Sequence, residues 1–187
     1  TTQPGQVITY CECHDNNTLW DKLAISVKDA DEDTRKQMHL LSLSIVLTFQ
    51  GIPFFHAGTE MLRSKKGVEN SYRSPDSINA IDWDMKTKHA DVVKYVQALI
   101  AMRRSHPAFR IRTSAAIAAG IHFEDTEPGL IAYSINGAAV QDRWKKVFVV
   151  LNGQASDRTV ILPPGSWKQH IRDNQISDMQ GLNGSLT

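Results

Sequence analysis

The sequence has 187 residues, a formal net charge of +1 and 41% hydrophobic residues, enough for one large domain or two small ones. The near-neutral charge gives no electrostatic basis for binding nucleic acid or an anionic membrane surface, and no apolar run approaches the length that spans a bilayer. No N-terminal stretch has the charged-then-apolar form of a secretory signal, but "TTQPGQ" lacks an initial Met and reads as chain interior, which leaves the location open between cytoplasm and exterior.

Val7 to Cys13 reads as a short strand, followed by a polar stretch to about Asp33. "DTRKQMHLLSLSIVLTFQG" predicts a largely buried helix, with acids before its first turn and Gly51 at the C-terminal cap. "IPFFHAG" is a second apolar run of strand length, with Pro53 near its start, where a missing N–H is best tolerated. A long polar loop runs from Gly58 to about Lys88. In "HADVVKYVQALIAMRRSHP", Val92, Val93, Val96, Leu99, Ile100 and Met102 recur at helical spacing, and Pro107 ends the pattern. The order is that of the βα repeat of α/β proteins. Both polar segments follow the C-terminal end of a strand, where parallel α/β folds place their sites. After Arg110 come short runs punctuated by Gly, Pro and Asn: "AAIAAGIHFED", "GLIAYSIN", "KKVFVVLNG", "RTVILPPGSW" and "KQHIRD". They predict an antiparallel β domain with its boundary near 107–114, and "SDMQGLNGSLT" reads as a trailing strand or a frayed tail.

The densest chemistry is "YCECHDNNTLWD", Tyr10 to Asp21. On an extended strand Cys11 and Cys13 lie on one face roughly 7 Å apart, at about 3.3 Å rise per residue, a poor spacing for a disulfide, so both read as free thiols. One residue between the thiols and no second Cys pair argue against zinc. Cys13 and His14 point to opposite faces of a strand, which argues against a nucleophilic Cys–His pair. Asp15 at a strand mouth either caps the turn or binds sugar hydroxyls, a metal or a proton. His14 is equally open between a structural donor and a functional one.

"VITYCECHDNNTLWDKL" resembles the strand-seven region of the α-amylase superfamily in the form found in type I pullulanases, where His-Asp-Asn is closely followed by Thr-Leu-Trp-Asp. "GIPFFHAGTEMLRSKKGVENSYRSPDSINAIDW" is similar to their eighth strand and following loop, and "YVQALIAMRRSHPAF" to their last barrel helix. The resemblance is specific over about residues 7–110 and one of general character from Ile111 onward. Cys11, Cys13, Thr59 and Met61 depart from the family pattern. The thiols fit as small packing groups, and the two loop departures leave that loop's sugar contacts open.

The resemblance implies an α/β plus all-β fold, with 1–110 the C-terminal part of a (β/α)8 barrel (about strands 7 and 8 with their helices) and 111–187 a C-terminal β-sandwich, complete or not. It implies a retaining glycoside hydrolase that cleaves α-1,6-glucosidic branches in pullulan, glycogen or limit dextrins. Asp15 is then the transition-state stabiliser, because a fixed anion favours the oxocarbenium-like ring over the neutral ground state. His14 binds the same sugar and Asn16 the adjacent subsite. In the loop after strand eight, Asn70, Tyr72, Arg73 and Asp76 are the candidate substrate-binding residues, while Trp83 reads as packed. No carboxylate here suits the nucleophile or the general acid, so the chain alone is expected to be a fragment that is inactive and needs the rest of the barrel. The partner is an α-glucan substrate. No cofactor or metal is expected, calcium entering only by family analogy. The alternatives are an isoamylase or glycogen-debranching relative, against which "NNTLWD" argues, and a non-catalytic carbohydrate-binding module using Trp144, Trp167 and Tyr133.

Overall fold

The computed structural model describes the backbone of residues 3–182 and 185–186, with side chains from residue 3 to residue 176. The first half runs β1 (Ile8–Thr9), α1 (Leu19–Ser26), α2 (Glu32–Thr48) and β2 (Ile52–Pro53). Side chains with oxygen acceptors start both helices, as capping requires: Thr18 Oγ1 accepts from the Asp21 N–H at 3.2 Å and Asp31 Oδ1 from the Thr34 N–H at 2.8 Å. β1 and β2 pair in parallel, Ile8 with Ile52 and Thr9 with Pro53. Both strands are far shorter than the apolar runs that predicted them.

The helix end at residue 48 has a different explanation from the expected glycine cap. The C-cap is Phe49, in extended conformation. The last helical carbonyls have no intrahelical partners, and the buried guanidinium of Arg103 serves one of them and the two carbonyls that follow the helix, donating to Leu47 O at 3.0 Å, to Phe49 O at 2.7 Å at the cap and to Gly51 O at 2.8 Å in the turn. Gly51 serves the turn into β2, at φ +100, where an added Cβ would stand 2.9 Å from Val7 O. That oxygen accepts the Ile52 N–H at 2.9 Å, so Gly51→Ala is expected to loosen the β1–β2 pair. An expected loss of about 1–3 kcal/mol, the usual cost of a residue forced into an unfavoured backbone region, is readable by urea unfolding.

Two very short helices, α3 (Asp76–Asn79) and α4 (Asp84–Lys88), interrupt the long polar segment before α5 (Ala90–Ser105). Leu40, Leu43 and Leu47 of α2 pack with Val92, Tyr95, Val96 and Leu99 of α5 and with Leu62 in a first core, with Cys11, Trp20 and Phe55 at its edge. Polar atoms within it are matched: Ser44 Oγ and Tyr95 Oη lie 2.8 Å apart, and Ser44 Oγ donates to Leu40 O at 2.8 Å.

The second half is α6 (Ser114–Gly120), then β3 (Ile121–Phe123), β4 (Leu130–Ile135), β5 (Val147–Asn152), β6 (Val160–Ile161), β7 (Trp167–Arg172), β8 (Gln175–Leu182) and β9 (Ser185–Leu186). β3, β4 and β5 form one antiparallel sheet in that order, β7 pairs with β8, and β6 with β9. The alanine run read as strand is the helix α6: Thr113 Oγ1 caps it by accepting the Ala116 N–H at 3.2 Å, and alanine is the best helix former. The tail "SDMQGLNGSLT" falls partly in β8 and β9. Residues 183, 184 and 187 of that tail, and all its side chains, lie outside the described residues.

Phe109, Ile111, Tyr133, Ile135, Val147 and Leu151 form a second core, and Ile45, Phe49 and Met102 of the helical half pack against it. The joint between the halves is polar at its centre. The buried ring of His106, just past α5, donates from Nδ1 to Asp142 Oδ1 at 2.7 Å. Asp142 Oδ2 accepts the Ala108 N–H at 2.9 Å and Oδ1 the Trp144 N–H at 2.8 Å. Trp144 stacks on His106 at 3.5 Å between ring centres and lies 4.2 Å from the His170 ring of β7.

Candidate active site

Side chains that follow the C-terminal ends of β1 and β2 converge on one cleft of about 230 Å³, lined in part by His14, Asp15, His56, Arg63, Asn70 and Tyr72. The carboxyl ends of parallel strands are where open α/β sheets bind ligands. A larger hollow of about 660 Å³ opens beside Ile52, Phe55 and Ile100, but among the described residues its lining includes four arginines and no acid. It cannot supply carboxylate chemistry, and the smaller cleft is the candidate.

Asp15 and His14 stand open to solvent, with side chains 73% and 83% exposed and Asp15 Oδ1 3.4 Å from His14 Nε2. Their turn is fixed from beneath. Asn16 adopts a left-handed backbone at φ +62, a region only Gly, Asn and Asp visit readily. Asn17 Nδ2 donates to Gly67 O at 3.0 Å. Lys65, only 1% exposed, sends its ammonium to His14 O at 3.1 Å and Asn16 O at 2.7 Å.

Glu12 is buried under the same turn. It accepts the Leu19 N–H and the Thr59 hydroxyl, and its Oε1 lies 3.9 Å from His56 Nδ1. Burial pushes its carboxyl above the ordinary value of 4.5, and the two donors only partly offset this. His56 is held below 6.5, first by burial and then by the charges of Arg63, Lys65 and His14. Arg63 donates to His56 Nε2 at 3.2 Å, to Ala57 O at 3.0 Å and to Asn79 O at 2.6 Å. Asn79 Nδ2 in turn holds Ser71 O at 2.7 Å and Ser74 O at 2.9 Å. The second wall of the cleft is therefore built from backbone carbonyls gathered by two half-buried side chains, Arg63 and Asn79.

Of the sequence candidates, His14, Asp15, Asn70 and Tyr72 share the cleft. Asn16 faces it through its backbone only insofar as its carbonyl holds Lys65. Arg73 stacks its guanidinium 5.2 Å from the centre of the Tyr72 ring, and Asp76 begins α3. Those three are not among the cleft-lining residues. Tyr72, at 75% exposure, presents an open aromatic face, and Trp83, read from sequence as packed, is 65% exposed. The aromatics of the β half are engaged elsewhere: Tyr133 is in the second core, Trp144 in the histidine stack, and Trp167 donates from Nε1 to Pro163 O at 2.8 Å. The sequence reading missed His56, Arg63 and Lys65 as parts of the cleft. The position of His56 three residues past β2 was the available signal for it.

Cys11 and Cys13 are free thiols, and burial pushes the Cys11 thiol up to about 11. No group of three or more His, Cys, Asp or Glu among the described residues is arranged to hold a metal ion.

Comparison with known proteins gives a consistent answer. Residues 117–175 match the family described as "Pullulanase, all-beta domain". A pullulanase of Bacillus subtilis (strain 168) is 40% identical over 148 residues, covering 79% of this chain and 21% of that protein. An isoamylase of Pseudomonas amyloderamosa is 28% identical over 175 residues, covering 87% of this chain and 22% of that protein. The solved pullulanase type I from Bacillus subtilis str. 168, complexed with maltose, superposes with a TM-score of 0.96 at 33% identity, over 100% of this chain and 26% of that one. The fold, helical layer and β half together, is thus that of part of the solved pullulanases. The chain belongs to the pullulanase family, and it spans about a quarter or less of the length of these three relatives.

Proposed function

We propose that this chain forms one wall of the active-site cleft of a retaining glycoside hydrolase that cleaves α-1,6-glucosidic branches in pullulan, glycogen or limit dextrins. The observation that carries the reading is the cleft itself: an exposed carboxylate, a histidine, an amide and an open aromatic face brought together from the ends of two parallel strands. Asp15 acts as the fixed anion beside a ring that gains positive charge, and His14 donates to the same sugar. Tyr72 offers a stacking face for a glucose ring, stiffened by Arg73 behind it, and Asn70 a donor and acceptor for hydroxyls. Asn16 and Asp76 border the neighbouring subsites.

Two carboxyl groups about 5 Å apart are needed for a retaining reaction, and we place both on polypeptide outside this chain. β1 and β2 are then adjacent strands of a (β/α)8 barrel ending near residue 110, with a β-sandwich from 111 to 187. The exposed Ile8 and Ile52 of the β1–β2 pair, and Tyr10 and Phe54 just past it, support this, since apolar residues on so small a sheet call for covering layers. The maltose in the similar pullulanase structure supports an α-glucan ligand. The higher identity to the pullulanase than to the isoamylase favours pullulan-type substrates.

The test compares residues 1–187 alone with the complete protein on pullulan, by release of reducing ends. The complete protein is expected to be active and the isolated chain to give none. Cleavage by the isolated chain at a rate near that of the whole would sink the proposal.

A further inference from the structure

We infer that Lys65 is a positioning residue for the Asp15 carboxylate, a role that rests on Asp15 being catalytic as proposed. Four observations meet on it. First, Lys65 is among the most deeply buried large side chains, though it belongs to the polar run "RSKKG". Burying an ammonium is costly unless its protons find acceptors, and among the described residues Lys65 forms no ion pair. Its acceptors are instead the carbonyls of His14 and Asn16, at 3.1 and 2.7 Å. These are the two residues that bracket Asp15.

Second, the lysine is itself anchored. Its N–H donates to Asp21 Oδ2 at 2.7 Å, and the neighbouring Ser64 hydroxyl donates to Asp21 Oδ1 at 2.5 Å. Asp21 sits in the first turn of α1, so the clamp is tied to a helix. Third, Asn17 Nδ2 grips Gly67 O at 3.0 Å, a second link between the same two segments. Fourth, the clamped turn contains Asn16 at φ +62. Asn is one of the few residues that adopt this conformation readily, so the clamp holds a turn that the sequence at 16 already favours.

A neutral tie could join two loops. A cation that binds the carbonyls on both sides of one residue does more, because it fixes the path of the backbone between them and so the direction in which the Asp15 side chain leaves it. The other ties on this turn are weaker or further away: Cys13 Sγ reaches Asp15 O at 3.9 Å, and the Asp15 carboxylate itself is open to solvent, with His14 its near neighbour. Lys65 also borders the cleft, which places its charge beside the substrate.

The experiment uses the complete protein with Lys65→Met, which keeps length and volume but removes the charge, and Lys65→Arg, which keeps the charge. Two readouts are taken: kcat and KM on pullulan, and amide hydrogen exchange of the segment 13–18. Lys65→Met is expected to lower kcat about 100-fold, the usual cost of about an ångström's misplacement of a reacting group, with KM changed less than about threefold. Exchange at 14–17 is expected to rise, and Lys65→Arg to recover at least about tenfold of the lost kcat, as a cation-dependent restraint requires. An unchanged kcat, or unchanged exchange at 14–17, overturns the inference, as does a loss confined to KM. If Lys65→Met melts below the assay temperature, Ser64→Ala removes one bond of the same clamp. It is then expected to cost about tenfold in kcat, the effect of about 1.4 kcal/mol, and full activity in that variant overturns the inference equally. Failure of the underlying reading is seen separately: if Asp15→Asn retains turnover, Asp15 has no catalytic role, whatever Lys65 does to the loop.

Discussion

An Asp15→Asn variant of the complete protein is expected to hydrolyse pullulan about 10³-fold more slowly than the parent, the upper range for removing one preorganised electrostatic group. Its circular dichroism and melting temperature are expected to stay unchanged. The reason for both halves of the prediction lies in one place. The Asp15 side chain is 73% exposed, with His14 at 3.4 Å as its near neighbour, so amide for carboxylate disturbs no packing. On the proposed function, what it removes is a negative charge beside a glucose ring that becomes cationic, an interaction that matters more in the transition state than in the ground state. The effect belongs in kcat more than in KM. Turnover within a few-fold of the parent would remove Asp15 from the mechanism.

The second large effect concerns stability. Asp142→Ala is expected to destabilise the protein by about 3–5 kcal/mol, since each buried donor left without an acceptor costs about 1–3 kcal/mol. The carboxylate is matched to three donors: His106 Nδ1, Ala108 N–H and Trp144 N–H. Alanine strands all three inside the joint. Burial alone would raise the Asp142 pKa, but the Ala108 N–H, the His106 ring and the Trp144 N–H outweigh it and hold the group below its ordinary value of 3.8. A pKa depressed by folding gives stability that is present above the unfolded value and lost as pH falls through the folded one. This contribution is therefore whole above about pH 4 and fades below 3.8. The Ala variant is expected to lose that part of the acid dependence, so the two melting curves converge as pH falls below 3.8. Parallel curves down to the lowest accessible pH would show that the Asp142 pair does not report on folding.

The long helices were legible because their signals are local: acids and a capping Asp before α2, a regular apolar stripe and Pro107 at the end of α5. The Ala-rich run at 114–120 misled because short apolar runs do not by themselves distinguish strand from helix, and the Thr113 cap decided it. β1 and β2 came out shorter than the runs at 7–13 and 52–58 because ladder pairing needs a partner at each residue, and the regular ladder covers only two residue pairs. In the cleft, His14, Asp15, Asn70 and Tyr72 could be nominated from two contiguous segments. Lys65 could not. Its burial follows from contacts 49 to 51 residues away in sequence, and nothing within "RSKKG" separates a clamped lysine from a solvated one.

The hairpin of β7 and β8 reaches back across the molecule. Ile171 packs on the first core, His170 on Trp144, and Asn174 Nδ2 at the turn donates to Gln37 Oε1 of α2 at 2.6 Å, across 137 residues of sequence. Closing so wide a loop is entropically disfavoured until both ends are already ordered. The link between the β7–β8 turn and α2 therefore forms only after residue 174 has been synthesised and both elements are ordered.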